Sequence, residues 1–266
     1  MMLNGIEELG EGLFFVCAGS AMRQLRIQAE LLAKAKVPVL IVGEEGSGKE
    51  TAARLIHKLS GQSRNPILII DCTKPCSRVL DRTLFGAAGA ATAALSTGYQ
   101  TVVLKNVLGL PPKTQTQILN RMAGMASPKN GGGDECRFRI IATCGESIEM
   151  SVGEGSFSAE LYSYLSAFTI YIPPLRRRKD EVSLLLSHFM NQIACKYDLS
   201  PRLLSGAAHF ACQSHSWPGN VKELEDFVKR YLIIGEGAIA FQPLRSLPLT
   251  VDLVTQNSGQ ERKPPN

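Results

Sequence analysis

The chain has 266 residues, of which 44% are hydrophobic and 20% are charged, and these proportions are typical of a globular protein with one large domain or two modest ones. The formal net charge of +5 comes from scattered basic residues, so composition alone does not indicate a nucleic-acid partner. No apolar run approaches the roughly 18 residues of a membrane span, and no signal-peptide pattern is present, so neither a membrane protein nor a secreted one is predicted.

The seven cysteines are irregularly spaced, which is not typical of a disulfide framework. Cys72 and Cys76 do not have the spacing of a zinc knuckle, and no second pair answers them. The pattern therefore predicts reduced thiols in a cytoplasmic protein. The cysteines are Cys17, Cys72, Cys76, Cys136, Cys144, Cys195 and Cys212.

In the first two thirds of the chain, short runs of β-branched apolar residues alternate with helical stretches. This pattern is typical of a parallel sheet whose faces are covered by crossover helices. The predicted strands are Val37–Val42, Ile67–Ile70, Thr101–Leu104, Arg139–Thr143 and Phe168–Ile172. The predicted helices are Ala21–Lys34, Lys49–Leu59, Lys113–Met125 and Ser158–Leu165.

The pattern changes after Pro173 and Pro174, where apolar residues recur at helical spacing and no strand is predicted. A small all-α domain is expected there, with helices over Glu181–Tyr197, Pro201–Gln213 and Val221–Ile234. The last residues are rich in Pro, Ser, Gln and charge, as in a disordered tail. The predicted division is an α/β domain at 1–172, a helical domain at 173–241 and a tail at 242–266.

A glycine-rich loop separates the first predicted strand from the helix that follows it. Strand, glycine loop and helix start together form a phosphate-binding loop, because glycines let backbone N–H groups turn toward a phosphate and a lysine reaches the outer phosphates. One position departs from the general form, since Glu50 stands where Ser or Thr usually contacts Mg²⁺. The predicted nucleotide-binding residues here are Gly43, Glu44, Glu45, Gly46, Ser47, Gly48, Lys49, Glu50 and Thr51.

The loop and its surroundings resemble the AAA+ domain of bacterial enhancer-binding proteins, also called the sigma-54 interaction domain, which carries GESGTGKE at this place. The resemblance covers about residues 15–235 and implies an AAA+ P-loop NTPase fold, with a five-stranded parallel sheet followed by a small all-α lid domain. It also implies that ATP or ADP is the cofactor. Beyond the loop, the motifs that carry it are Ala53-Arg54-Leu55-Ile56-His57, Leu84-Phe85-Gly86, Ile172-Pro173-Pro174-Leu175-Arg176 and the run from Trp217 to Leu224.

The chain departs from the family at the residues that drive hydrolysis. The family's third strand ends in Asp-Glu, which organise Mg²⁺ and the attacking water. Lys105 and Asn106 stand there instead. The substitutions predict that hydrolysis is lost, and the loss of both carboxylates puts Mg²⁺ binding in doubt.

Further departures affect the contacts that the family makes with other molecules. Compared with the family's sigma-contacting GAFTGA loop, Ala91 replaces the aromatic residue and Ala93 replaces a glycine. Ser158 and Tyr164 align with two arginines that reach a neighbouring subunit's nucleotide. Lys222 aligns with a nucleotide-sensing arginine of the lid, and it keeps the charge without the bidentate fork.

The resemblance and its departures predict a nucleotide-binding transcriptional regulator that does not hydrolyse ATP. It is expected to act through an AAA+ paralogue or a protein of the transcription machinery, in a mixed ring. Direct DNA binding is not expected, because residues 236–266 are too short and proline-rich for a helix-turn-helix. The family commonly carries a basic run at the junction between the two domains. The run 176–179 is therefore interpreted as a solvated hinge rather than a nucleic-acid patch. Two rivals stay open: an active ATPase that remodels the sigma-54 holoenzyme, and a scaffold without nucleotide.

Overall fold

The computed structural model describes residues 2–3, 5–10, 12–35, 37–61, 65–74, 100–126, 138–200 and 203–235. Several sequence predictions concern residues outside these ranges. They are the sigma-contacting positions Ala91 and Ala93, the Leu84-Phe85-Gly86 motif, the cysteines Cys76 and Cys136, and the tail at 242–266.

The described residues form two sheets and a set of helices. The strands are β1 (Met2–Leu3), β2 (Ile6–Gly10), β3 (Leu13–Val16), β4 (Val39–Val42), β5 (Ile67–Asp71), β6 (Gln100–Lys105), β7 (Phe138–Cys144) and β8 (Thr169–Tyr171). The α-helices are α1 (Ser20–Ala35), α2 (Lys49–Leu59), α3 (Pro112–Ala126), α4 (Ile148–Gly153), α5 (Ala159–Leu165), α6 (Val182–Lys196), α7 (Gly206–Ser214) and α8 (Asn220–Ile234).

The central sheet has five parallel strands in the order β5-β6-β7-β4-β8. Its strands are mostly apolar, as expected for a parallel sheet that is covered on both faces, with polar or charged residues such as Asp71 and Lys105 at strand ends. In β4, for example, all four residues from Val39 to Val42 are at most 3% exposed. The predicted sheet is confirmed, and each strand begins and ends within two residues of its predicted bounds.

The predicted all-α domain after the sheet is also confirmed, with α6, α7 and α8 around an aromatic core. Trp217 is fully buried, and its indole N–H donates to the carbonyl oxygen of Cys212 at 2.8 Å. The predicted start of α7 at Pro201 is wrong. The helix begins at Gly206, because the Ser205 hydroxyl accepts a hydrogen bond from the Ala208 N–H and caps it.

An antiparallel sheet of β1, β2 and β3 precedes the parallel sheet and was not predicted. Its third strand joins the two halves of the molecule, because successive side chains point to opposite faces. Phe14 and Val16 pack against the core of the helical domain, while Phe15 and Cys17 belong to the core between the parallel sheet, α1 and α2.

Two predictions from composition can be compared with the described part of the chain. None of its helices is long and apolar enough to cross a membrane. The cysteines found there have free thiols, as predicted, and they are Cys17, Cys72, Cys144, Cys195 and Cys212.

Candidate nucleotide-binding site

The glycine-rich loop lies at the carboxyl edge of the parallel sheet, between the end of β4 and the start of α2. Gly46 and Gly48 have positive φ angles of 71° and 101°, a backbone conformation that favours glycine. Helix α2 begins at Lys49, directly after Gly48. The unpaired N–H groups of its first turn and its dipole therefore favour an anion at this edge.

Lys49 is the first residue of α2, and its side chain bonds back to the loop. Its ammonium donates to the carbonyl oxygens of Gly43 at 2.8 Å and Glu44 at 2.7 Å. Burial lowers the pKa of Lys49, since the charged form loses hydration. An anionic ligand beside the ammonium would offset that loss.

A cavity of about 590 Å³ lies next to the loop. Ser47, Gly48 and Thr51 line one side, and apolar side chains such as Phe14 and Phe189 line another. Charged and polar side chains also border the cavity, among them Arg178, Gln192, Lys196, Glu225 and Lys229. Ser47 is 1% exposed, and its hydroxyl has no hydrogen-bond partner among the residues that the structure describes. The volume is in the range of small-molecule sites. A cavity with an apolar part and a polar part, beside the start of a helix, fits a nucleotide.

The helical domain docks on the loop through the start of α8. Asn220 is fully buried, and its amide N–H₂ donates to the Glu44 carboxylate at 3.1 Å and to the Glu45 carbonyl at 2.9 Å. Its amide oxygen accepts from the Leu175 N–H at 2.8 Å. The Gly46 carbonyl also accepts from the Val221 N–H at 3.1 Å. These bonds fix the helical domain against the loop.

Arginines from the segment after the sheet complete this contact. The Arg176 guanidinium donates two hydrogen bonds to the Glu44 carboxylate, at 2.7 and 2.5 Å. Together with Asn220, it lowers the pKa of Glu44 to about 2. Arg178 is only 5% exposed and donates to the Ser47 carbonyl at 2.6 Å. The interpretation of this basic run as a solvated hinge is therefore wrong for Arg178, which supports the loop from within.

Lys105 and Asn106 lie where the family has its two carboxylates, at the end of β6. The Lys105 ammonium is 3.0 Å from a carboxylate oxygen of Glu50, in the first turn of α2. Asn106 has a φ of 55°, and its backbone N–H donates to the Thr143 hydroxyl at 3.2 Å. No cluster of three or more His, Cys, Asp or Glu residues that could hold a metal ion occurs within the described ranges. Neither Lys105 nor Asn106 offers a carboxylate at this edge, and the Glu50 carboxylate is paired with Lys105.

The other predicted positions lie elsewhere. The Ser158 hydroxyl accepts from the Leu161 N–H at 3.2 Å and caps α5. Tyr164 packs against the core on one face of the parallel sheet. The Lys222 side chain is 59% exposed and pairs with Glu225 and Asp226 on its own helix, at 3.4 and 3.3 Å. Lys222 is therefore close to the loop through α8, but its charge is shared with that helix.

Sequence reasoning did not identify Asn220, Arg176 and Arg178 as residues of the site. Asn220 offered one signal, because a small amide directly after Pro-Gly and before a helix is typical of a residue with positive φ, here 56°. The arginines offered none, since Arg178 and its partner Ser47 are 131 residues apart in the chain.

Comparison with known families and proteins agrees with this architecture. The family model of the sigma-54 interaction domain matches residues 16–175, and that of the AAA+ ATPase lid domain matches residues 176–260. The chain is 33% identical to the transcriptional regulatory protein XylR of Pseudomonas putida, over 77% of the chain and 38% of that protein. It is 30% identical to the nitrogen assimilation regulatory protein NtrX of Azorhizobium caulinodans, over 87% of the chain and 53% of that protein. The chain thus spans about half the length of these relatives, or less.

Solved structures show the same likeness. The crystal structure of NtrX from Brucella abortus in complex with ADP superposes with a TM-score of 0.74 at 29% identity, covering 87% of this chain and 53% of that one. The structure of the same protein in complex with ATP gives a TM-score of 0.72 at 30% identity, covering 82% and 52%. With a family model that matches well over half of its residues, the chain belongs to the AAA+ sigma-54 interaction domain family of transcriptional regulators.

Proposed function

We propose that this chain binds ATP or ADP without hydrolysing it, and that it regulates transcription through a protein partner. The observation that carries the binding half is the cavity beside an intact phosphate loop, with the Lys49 side chain bonded back to the loop and a free hydroxyl on Ser47. The adenosine moiety would take the apolar part of the cavity. The phosphates would take the N–H groups at the start of α2 and the Lys49 ammonium.

The relatives support this assignment of the ligand. NtrX from Brucella abortus was crystallised with ADP and with ATP, and this chain is 29% and 30% identical to it in the two comparisons. The residues Asn220 and Arg178 hold the loop in place on the lid side.

The proposed absence of hydrolysis is supported by what lies at the end of β6. Water attack on a γ-phosphate needs a group that orients the water and a positive charge that stabilises the transition state. Lys105 and Asn106 provide no carboxylate, and the Glu50 carboxylate is already paired with the Lys105 ammonium at 3.0 Å. Lys49 and the loop can hold phosphates, but these residues cannot take a proton from water at neutral pH.

Thermal unfolding with and without nucleotide tests the binding. ATP at about 100 times its dissociation constant is expected to stabilise the fold by about 2.7 kcal/mol. Lys49→Ala should abolish the shift, because it removes the ammonium from the loop. Lys34→Ala is a matched control, since Lys34 pairs with Glu30 on the surface of α1. If the melting temperature does not shift at millimolar ATP, the rival hypothesis is favoured, namely a scaffold that binds no nucleotide.

A phosphate-release assay tests the proposed absence of hydrolysis. We expect no turnover above the background of Lys49→Ala. Steady release that disappears in Lys49→Ala would instead establish the rival reading, an active ATPase that remodels the sigma-54 holoenzyme.

We further propose a cytoplasmic protein that works by assembly with an AAA+ paralogue or with the transcription machinery. Its proposed parts are a nucleotide-binding α/β domain at 1–172, a lid at 173–241 and a disordered tail at 242–266. A pull-down from the native cell, with Lys49→Ala alongside, would identify the partner. It would also show whether nucleotide controls the association.

A further inference from the structure

A lysine ammonium lies at the edge of the phosphate loop, where P-loop NTPases carry acidic residues that hold Mg²⁺. Lys105 is the last residue of β6, and its side chain reaches across to the first turn of α2. Its ammonium is 3.0 Å from one oxygen of the Glu50 carboxylate. The other oxygen of Glu50 accepts from Arg54 at 3.3 Å. Both oxygens of this carboxylate therefore already face cations.

A second carboxylate lies nearby on β5. Asp71 ends that strand and pairs with Lys105 in the sheet register, and one of its carboxylate oxygens, Oδ1, accepts from the Thr73 N–H at 3.1 Å and hydroxyl at 2.7 Å. Mg²⁺ is bound through carboxylates and phosphate oxygens and keeps a strict octahedral geometry. A dication here would lie beside the Lys105 ammonium, and the Glu50 carboxylate already pairs with Lys105 and Arg54. Electrostatics at this edge disfavour the metal.

The same ammonium suits an anionic phosphate. A lysine is a compact charge on a flexible four-carbon stem, and it binds phosphate as a point charge. The Lys105 side chain is 32% exposed, so it is free to exchange the exposed Glu50 carboxylate for a phosphate oxygen. Lys49 directly precedes Glu50 at the start of α2, and the charge of Lys105 is one of the causes that lower the pKa of Lys49, after burial. Two lysines from different elements thus converge on the start of α2.

We propose that Lys105 supplies the positive charge that Mg²⁺ supplies in other P-loop NTPases, so that this chain binds nucleotide without a divalent metal. The inference rests on the proposed nucleotide binding. It adds that the ligand is the metal-free triphosphate or diphosphate, and that excess Mg²⁺ competes with the protein for it.

Isothermal titration of ATP into the full chain tests this, once with EDTA and once with excess Mg²⁺. The wild type is expected to bind in EDTA at least as tightly as in Mg²⁺. Lys105→Gln should weaken binding in EDTA about tenfold, the loss of roughly one charge-assisted contact. Lys105→Asp should lose binding in EDTA and regain it with Mg²⁺, since it restores a carboxylate at the end of β6.

Lys34→Asp is the matched control for the change of charge. Lys34 lies in the last turn of α1, which leads into the start of β4, so it is at the edge of the sheet opposite to the loop. It should bind as the wild type does in both buffers. Circular dichroism of each variant confirms that the fold is kept.

The outcomes separate the two proposals. Wild-type binding only in the presence of Mg²⁺ would overturn the role of Lys105 and leave nucleotide binding intact. Binding of Lys105→Gln in EDTA with wild-type affinity would also overturn it. Failure of the wild type to bind ATP in either buffer would overturn the proposed function itself, and this inference with it.

Discussion

Glu44 is one of the residues that join the phosphate loop to the helical domain and to the segment before it. Its carboxylate accepts from Arg176 and from Asn220, and these bonds lower its pKa from the usual 4.5 to about 2. A carboxyl group whose pKa is lower in the folded state stabilises the fold while it is ionised. That stabilisation is fully present above pH 4.5 and is lost as the pH falls toward 2.

Replacing Glu44 tests this at the scale of one residue. We expect Glu44→Gln to lower the free energy of unfolding at pH 7 by about 1 kcal/mol, a modest value because Arg176 is 43% exposed to solvent. We also expect the free energy of unfolding of the variant to fall less between pH 5 and pH 3 than that of the wild type. Urea unfolding at several pH values measures both effects.

Glu30→Gln is the control for Glu44→Gln. Its carboxylate pairs with Lys34 on the surface of α1 and has a lowered pKa, but it makes no contact with the lid. If both variants show the same pH dependence of unfolding, the bonds of Glu44 at the junction stabilise the fold no more than the surface ion pair of Glu30 does.

At the scale of elements, the loop and α8 approach each other closely at Gly46. A Cβ atom there would lie 2.2 Å from the Gly219 carbonyl oxygen, and the φ of 71° already disfavours a side chain. A Cβ atom at Gly48 would meet nothing within 4 Å, although its φ is 101°. The two glycines therefore separate backbone strain from contact with the lid.

We expect Gly46→Ala to destabilise the fold by about 3 kcal/mol, the sum of backbone strain and displacement of the lid. Gly48→Ala should cost only about 1–2 kcal/mol, from strain alone. Denaturant unfolding of both variants measures the difference. Equal losses would show that the lid does not press on Gly46 in solution.

The positions of most elements could be predicted from the sequence, because they depend on local patterns. The apolar run of β4 and the glycines before α2 indicate strand, loop and helix without knowledge of the rest. The start of α7 could not be placed by apolar spacing, because a single hydroxyl, that of Ser205, decides where the helix begins. The sheet of β1 to β3 is short and was missed for lack of a long periodic run.

The site could be predicted only in part, for a physical reason. Lys49 and the glycines act through their neighbours in sequence, so the motif reveals them. The ion pair of Lys105 with Glu50 and the bond of Arg178 to Ser47 form between segments far apart in the chain. Substitution at Lys105 was visible in the sequence, but its pairing with Glu50 was not.

At the scale of the whole molecule, the proposed assembly depends on the contact between one subunit's nucleotide and the residues of the next subunit. In this family, the nucleotide of one subunit faces two arginines of the next. Here Ser158 caps α5 and Tyr164 packs into the core, so neither position offers a cation to a neighbour. An active paralogue would still present its arginines to nucleotide bound in this chain.

We therefore expect weak homohexamers or none, and stronger association with a complete member of the family. Analytical ultracentrifugation with ATP, on the chain alone and mixed with such a paralogue, measures both. A stable hexamer of the isolated chain that takes up no paralogue would contradict this prediction.

Strand β3 has a mechanical consequence for the molecule. Its residues Leu13–Val16 form one wall of the cavity. Its alternating side chains pack in the core of the helical domain on one face and in the sheet core on the other. A displacement of the amino-terminal sheet would therefore move a wall of the cavity directly. A molecule that binds the sheet of β1 to β3 would therefore displace the helical domain and the parallel sheet together, because β3 packs in the cores of both.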